Sequence, residues 1–152
     1  MASMPSKSQR PATYDDANLL LRLYELRRED KMRAARDWFA TKCHVRTFDE
    51  LQKLCPPGSE ENAYFRMITS YWDMAASFVT SGVLHEDLFI KNSSELLFVW
   101  IRISDIVPAF RDAFKNPDYL GNVETLATAI MEDKKRRGSY EAFVNMVRGA
   151  RS

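Results

Sequence analysis

The chain has 152 residues, of which 45% are apolar and 28% charged, with 5 glycines, 6 prolines and 2 cysteines. A chain of this length and composition can bury enough surface for one hydrophobic core, so collagen-like and disordered chains are excluded. The 22 basic and 21 acidic side chains give a net charge of +1, which by itself indicates neither an anionic nor a cationic partner.

The first segment, residues 1–12, contains Ser, Pro, Lys and Arg but no acidic residue. We expect a flexible N-terminal tail there, followed by a single helical domain over residues 13–152. The tail has no apolar run of the length that a secretory signal requires. The most apolar stretch, Leu96 to Ile101, is far shorter than the roughly 18 residues that span a bilayer. No transmembrane helix and a cytoplasmic location are therefore expected.

Apolar residues recur at intervals of three and four, whereas strand and hairpin signals are nearly absent. Thr13 or Asp15 can cap a first helix over about 14–28. Glu29 or Asp30 can then begin a second helix, although one kinked helix, or one long helix through residue 42, fits the same residues.

The central helices are defined by their caps and breakers. Thr47 and Glu50 form a capping box before a short helix. A helix over about 60–81 has two apolar stripes and is predicted to be central, and one over about 94–107 is bent or restarted by Pro108. A turn and a short helix are predicted over Val83 to Ile90, and later helices over about 123–137 and after Ser139. The pattern predicts an all-α, irregular single-domain bundle of about seven to eight helices without repeats.

Motifs for common chemistries are missing from the sequence. It has no glycine-rich phosphate loop, nucleophile elbow or paired-histidine motif, so no catalytic residue, metal site or cofactor is predicted. Cys43 and Cys55 have no metal-binding spacing, and two free thiols in a reducing compartment are expected. His85, Glu86 and Asp87 resemble part of a metal cluster, but adjacent helical residues point about 100° apart, which favours a helix cap.

Polar residues within the two most apolar helices suggest a ligand-binding site. Asp73 and Arg102 can line a small pocket between the helices at 60–81 and 94–107. The structural alternative is a satisfied ion pair or two exposed side chains. The candidate ligand-binding residues are Tyr71, Trp72, Asp73, Trp100 and Arg102.

The charges are unevenly distributed. Residues 22–46 carry a net +4, residues 47–133 a net −8 and residues 134–152 a net +5. The basic ends can dock on the acidic middle of the same chain, bind phosphates of RNA or anionic lipid, or meet an oppositely charged surface of a second copy or of a partner protein. Nucleic acid and membrane surfaces are less favoured, because no stacking aromatic residue interleaves the basic runs. The candidate basic surface comprises Arg27, Arg28, Arg33, Lys134, Lys135, Arg136 and Arg137.

The run LLLRLYELRREDKMRAARDWF (Leu19 to Phe39), with Tyr71-Trp72 and Gly82-Val83-Leu84, resembles small all-helical bacterial proteins of unknown function. The resemblance covers about the first 110 residues and implies a helical fold, but it transfers no functional residue. Some of those proteins carry a membrane segment ahead of the domain, and none is expected here, so a membrane role is not inferred.

These observations favour a protein-interaction or regulatory domain without catalytic machinery, with a protein partner or a second copy of the chain. A ligand-binding or enzymatic pocket is the alternative, and phosphate or lipid binding by the basic ends is the third hypothesis.

Overall fold

The structure is a computed structural model that describes residues 10–149 of the chain. Residues 1–9 of the predicted tail lie outside this range, as do residues 150–152. All regular secondary structure within the range is helical, which confirms the predicted all-α class. The helices are α1 (Tyr14–Arg28), α2 (Asp30–Lys42), α3 (Phe48–Leu54), α4 (Glu60–Thr80), α5 (Glu86–Lys91), α6 (Ser94–Ile103), α7 (Val107–Ala113), α8 (Gly121–Arg136) and α9 (Tyr140–Gly149).

The first two helices are separate because Glu29 leaves the helical conformation. Its ψ angle of 145° is extended, and its side chain accepts a hydrogen bond from the Met32 backbone N–H at the start of α2. At the other end of α1, Thr13 and Asp16 form a reciprocal capping box. The same device, formed by Thr47 and its partner three residues on, begins α3 as the sequence predicts.

Helix α4 occupies the centre of the bundle, as its two apolar stripes predict. It packs against α2 on one side and against α8 on another. Trp72, near its midpoint, is fully buried, and so are Ala75 and Val79 one and two turns further on. A helix with neighbours on two sides needs an apolar arc wider than that of a surface helix, which explains the composition of this segment.

The segment after residue 94 is divided by Pro108. Helix α6 ends at Ile103, a 3₁₀ turn spans Ser104–Ile106, and the proline lies in the first turn of α7. The missing N–H of proline costs nothing at that position, because the first amides of a helix have no partner within the helix. Helix α6 thus remains unbroken where it packs against α8 and α9.

A buried carboxylate connects the start of α1 to the start of α5. Asp16 is only 2% exposed and accepts two hydrogen bonds of 2.8 Å from the Arg10 guanidinium. It also accepts from the backbone N–H of Thr13 and of His85, at 2.8 and 2.9 Å. The Arg10 side chain holds the pKa of the Asp16 carboxyl well below its usual range. His85 caps α5 through Nδ1, which accepts a hydrogen bond from the Leu88 N–H, and this confirms the predicted capping role.

Candidate functional site

A groove of about 910 Å³ opens between α2, α6 and α9. The floor is apolar because each of the three helices directs aliphatic or aromatic side chains toward it. Met146 on α9 is 57% exposed, so part of this floor is in contact with solvent. The apolar side chains of the floor include Phe39 from α2, Phe98 and Val99 from α6, and Phe143 and Met146 from α9.

Charged side chains of α2 form one rim of the groove. Asp30, Arg33 and Asp37 succeed one another at intervals of three and four residues, which places them in a row along one face of the helix. None of the three side chains has a hydrogen bond or an ion pair with any residue between 10 and 149. Ala34 and Ala40, both exposed, lie on the same face and leave space for a close approach. We call Asp30, Arg33 and Asp37 the charged rim.

The boundary between α2 and α6 is closed by an ion pair. The Arg36 guanidinium donates to both Glu95 carboxylate oxygens, with Nη2 to Oε1 at 2.8 Å and Nε to Oε2 at 2.9 Å. The hydrogen bonds to Glu95 raise the pKa of Arg36. This bidentate pair fixes the width of the groove where the two helices meet. The charges of Arg36 and Glu95 neutralise each other and are not part of the charged rim.

Two of the predicted ligand-binding residues, Tyr71 and Trp72, instead join α4 to α1. The Tyr71 hydroxyl donates to the Leu23 carbonyl at 2.6 Å and accepts from the Arg27 guanidinium at 3.3 Å. Burial raises the pKa of Tyr71. The two rings meet edge to face at 5.0 Å, and Arg27 lies 5.1 Å from the centre of the Trp72 ring.

Asp73 lies at the opposite side of α4 and caps α8. Its Oδ1 accepts from the Val123 backbone N–H at 3.2 Å and its Oδ2 from the Asn122 side chain at 3.4 Å. Helix α8 begins after Leu120 without a side-chain cap of its own, so the carboxylate satisfies its first turn from a neighbouring helix. Asp73 also borders a separate cavity of about 580 Å³ next to Tyr119.

Arg102 and Trp100 are buried within α6. Arg102 is 5% exposed and donates to the carbonyls at the end of α2 and to one in α9, at distances of 3.1 to 3.2 Å. It therefore satisfies carbonyl groups at the end of α2. Asp73 and Arg102 bind different parts of the fold, and a pocket that uses the five candidate residues together stays a prediction. The carbonyls bound by Arg102 belong to Phe39, Ala40, Cys43 and Val147.

The seven residues of the candidate basic surface occupy different environments. Arg33 lies on the charged rim, whereas Arg136 and Arg137 both pair with Asp133 of their own helix. The other four lie over aromatic rings at 4.6 to 5.6 Å, an arrangement that uses their charge locally. These ring contacts are Arg27 over Trp72, Arg28 over Tyr24, Lys134 over Phe143 and Lys135 over Tyr140.

Ion pairs join the basic and acidic blocks of the sequence within one molecule. Arg36 pairs with Glu95, and Arg46 pairs with Asp105 at 2.6 Å. Both arginines belong to the basic block at residues 22–46 and both acids to the acidic middle. These contacts support the intramolecular interpretation of the charge layout for that block.

Neither cysteine is poised for chemistry. Cys43 and Cys55 are free and buried. Burial raises the pKa of Cys43 to about 12 and that of Cys55 to about 11, so both are protonated thiols at neutral pH. Between residues 10 and 149, no group of three His, Cys, Asp or Glu side chains is arranged to hold a metal ion. None of the helices in this range combines the length and the hydrophobicity that a membrane span requires.

Sequence reasoning missed the groove as a site. The alternation of Asp30, Arg33 and Asp37 on a helix that also exposes Ala34 and Ala40 is visible in the sequence. This row of charges borders a groove only because α6 and α9 lie beside that face of α2. Local periodicity does not show which helices become neighbours, so the signal was present without its context.

The fold and groove define an all-α domain with an open apolar groove flanked by charges on α2. The family model described as a domain of unknown function, DUF4760, matches residues 12–130, and the chain therefore belongs to that family. The match includes α1 to α7 and most of α8, whereas α9, which supplies one wall of the groove, lies beyond it. Searches of curated proteins and of solved structures give no significant match.

Proposed function

We propose that this domain is a protein-interaction module that binds an amphipathic helix of a partner in the groove between α2, α6 and α9. The observation that carries the proposal is the combination of an apolar floor with a rim whose charges have no partner in residues 10–149. Helix-in-groove recognition requires a hydrophobic trough for one face of the ligand and polar contacts along its edges.

The charged rim specifies the chemistry of the partner. Its order along α2 is acid, base, acid, over a span of about 10 Å, or two helical turns. A helix lying along α2 would complement it with base, acid, base at the same intervals. The order is the same in both directions, so the complementarity holds for a parallel and for an antiparallel partner. Such pairing contributes specificity more than affinity, because these charges are exposed.

The residues that border the groove favour a helix over a small anionic ligand as its occupant. Arg33 is the central cation of the rim, but Asp30 and Asp37 flank it on the same face and would repel a carboxylate or phosphate bound there. The exposed Ala34 and Ala40 permit the backbone of a second helix to approach α2 closely. Phe98 and Met146, on the facing helices, then supply apolar contact, and the unbranched Met146 side chain can adapt to the shape of the ligand.

We further propose that the domain acts in the cytoplasm of a bacterium. The bacterial origin is what the resemblance to small helical proteins implies. The two buried, unpaired thiols support a reducing compartment, because disulfides form and persist in oxidising ones.

The test uses two synthetic helical peptides of about 18 residues with the same apolar face. One carries Lys, Glu, Lys along the edge that would meet the charged rim, and the other carries Glu, Lys, Glu. We expect the first peptide to bind at least about tenfold more tightly in fluorescence anisotropy. The double variant Arg33→Glu with Asp37→Arg should reduce or invert this preference. Failure of both peptides to bind, or equal binding of the two, would contradict the proposal.

Variants of the floor locate the binding site. Met146→Lys places a charge in the groove and should abolish binding of the preferred peptide, while Val83→Lys changes an equally exposed apolar residue outside the groove and should leave it unchanged. Ala34→Gln adds bulk without charge at an exposed position of the groove, and it should also weaken peptide binding. It provides the test if Met146→Lys disturbs α9. Peptide binding that is insensitive to both groove variants would place the site elsewhere on the molecule.

A further inference from the structure

The cavity beside Asp73, of about 580 Å³, lies between α4 and the loop that joins α7 to α8. Its size falls in the range of about 300–1,000 Å³ that is usual for small-molecule sites. The wall on α4 includes Ala63, Arg66, Ser70 and Asp73, which follow one another at intervals of three, four and three residues. These intervals place all four residues on one side of the helix.

The loop on the other side of the cavity is held in a fixed conformation. Lys115 and Leu120 have φ angles of 52° and 55°, in the left-handed region that residues other than glycine rarely adopt. Arg111 donates to the Tyr119 carbonyl at 2.9 Å, and the rings of Phe110 and Tyr119 stack at 4.0 Å. Strained residues persist only where the surrounding structure holds them, and they cluster at ligand sites. The loop is therefore a preformed wall of the cavity.

Opposite charges border this cavity without neutralising each other. Arg66 on α4 and Asp118 in the loop are exposed, and both line the cavity. Neither side chain forms a hydrogen bond or an ion pair within the part of the chain that the structure describes, and the two do not pair with each other. A ligand that carries one group of each sign can therefore bind to both.

The third charge of the cavity, on Asp73, is balanced by the fold. Its carboxylate accepts from the Val123 backbone N–H in the first turn of α8, where the helix dipole is positive. Tyr119 adds no charge, because burial raises the pKa of its hydroxyl to about 12. Arg66 and Asp118 thus remain for a ligand, and a purely anionic or purely cationic ligand would be repelled by one of them.

The remainder of the lining is largely apolar. Met67 on α4 and Phe110 on α7 border the cavity, together with Leu120 and the ring of Tyr119. These side chains suit an aliphatic or aromatic group of a ligand, while a few polar groups fix its orientation.

We propose that this cavity binds a zwitterionic amino acid with an apolar side chain. The planar guanidinium of Arg66 holds the carboxylate through two N–H groups, and the Asp118 carboxylate accepts from the ammonium group. The cavity is separate from the groove between α2, α6 and α9, so this proposal does not rest on the proposed function.

Titration of the full chain with L-leucine and with L-phenylalanine, followed by amide chemical shifts in NMR spectra, tests the proposal. For ligands of about ten non-hydrogen atoms we expect dissociation constants between about 10 μM and about 1 mM. The shifted amides should centre on α4 and on the loop between α7 and α8. No binding of either amino acid up to about 10 mM, or shifts that centre on another part of the molecule, would overturn the proposal.

Two derivatives of the tighter-binding amino acid separate the roles of its two charges. The amide lacks the carboxylate, and the N-acetyl derivative lacks the ammonium group. Each derivative should bind at least about tenfold more weakly than the amino acid, because each loses one charge-assisted contact and leaves its protein partner unpaired. Equal affinities for the amino acid and both derivatives would show that the cavity does not recognise a zwitterion.

Variants of the protein assign each charge to its partner. Arg66→Gln should weaken binding of the amino acid by about tenfold but leave the already weak binding of the amide unchanged, because both changes remove the same contact. Asp118→Asn should behave in the same way toward the N-acetyl derivative. Arg22→Gln and Asp112→Asn change exposed charges outside the cavity and should leave all affinities unchanged. If Arg66→Gln and Asp118→Asn bind the amino acid as tightly as the wild type, or if the controls weaken binding equally, the assignment is wrong.

Discussion

Charged residues serve opposite purposes in the interior of the bundle and along the groove. Asp16 and Arg102 are almost completely buried, and each is surrounded by hydrogen-bond partners from distant parts of the chain. Asp30, Arg33 and Asp37 stand in solvent on one face of α2, and their side chains have no partner in residues 10–149. The interior charges connect helices, whereas the charged rim contributes little to the fold.

The difference shows where function can be sought in this domain. A buried charge must be satisfied, since an unpaired one costs several kcal/mol, and a satisfied one has little capacity left for a ligand. An exposed, unpaired charge is neutral for stability, so its position is free to serve recognition. The contrast predicts large effects on unfolding from the interior residues and small effects from the rim.

Arg102 should give the largest effect. Arg102→Met removes the hydrogen bonds to carbonyls of α2 and α9 and leaves these acceptors without a charged donor in a buried site. We expect a loss of about 3 kcal/mol in the free energy of unfolding, measured by urea denaturation. The free energy of unfolding of Arg102→Lys should lie between those of the wild type and Arg102→Met, because a single ammonium cannot reach carbonyls on both helices.

Arg28→Met is the matched control, since Arg28 is exposed and its contact is with the Tyr24 ring. It should change the free energy of unfolding by less than about 0.5 kcal/mol. If Arg102→Met costs no more than Arg28→Met, the interior charge does not hold α2 and α9 together.

Asp16 should give the second-largest loss in the free energy of unfolding, and this loss should depend on pH. Asp16→Asn keeps the shape but loses the charge that receives Arg10 and two backbone amides, and it should lower the free energy of unfolding by about 2 kcal/mol near neutral pH. The folded pKa of Asp16 is lowered, so its contribution is fully present above the unfolded pKa of about 3.9 and is lost as the pH falls further.

Urea midpoints for the wild type and Asp16→Asn at about pH 7, 4 and 2.5 check this prediction. The difference between the two proteins should shrink below about pH 4, because the unfolded wild-type chain takes up a proton at Asp16 there while the carboxylate of the folded protein stays ionised. A difference that stays constant down to the lowest pH would show that the carboxylate charge is not what stabilises this junction.

The sequence predicted the helices well because the signals for them are local. The capping box at Thr47, the end of α4 before Gly82 and the break at Pro108 each depend on residues within one or two turns. The central place of α4 also followed from its own composition, since two apolar stripes require neighbours on two sides.

The candidate site was less predictable because it depends on neighbours. Asp73 and Arg102 stand out in the sequence as charged residues in apolar helices, but periodicity does not show that one caps α8 and the other binds carbonyls of α2 and α9. Hydrogen bonds of this kind join residues 50 to 63 positions apart in the chain. The groove has the same origin, because it exists only where α2, α6 and α9 come together.

Arg33 should give the smallest effect on stability, and this makes it the sharpest test of the comparison. Its guanidinium is exposed on the charged rim, and Arg33→Gln keeps a long polar side chain with good helix propensity. The free energy of unfolding should therefore change by less than about 0.5 kcal/mol, while discrimination between the two charge-patterned peptides should fall by several-fold. Measuring both the free energy of unfolding and the peptide discrimination of Arg33→Gln separates a role in stability from a role in recognition. A variant that loses stability by as much as Asp16→Asn would place Arg33 among the charges that hold the fold, and a variant that keeps both stability and discrimination would remove the rim from recognition.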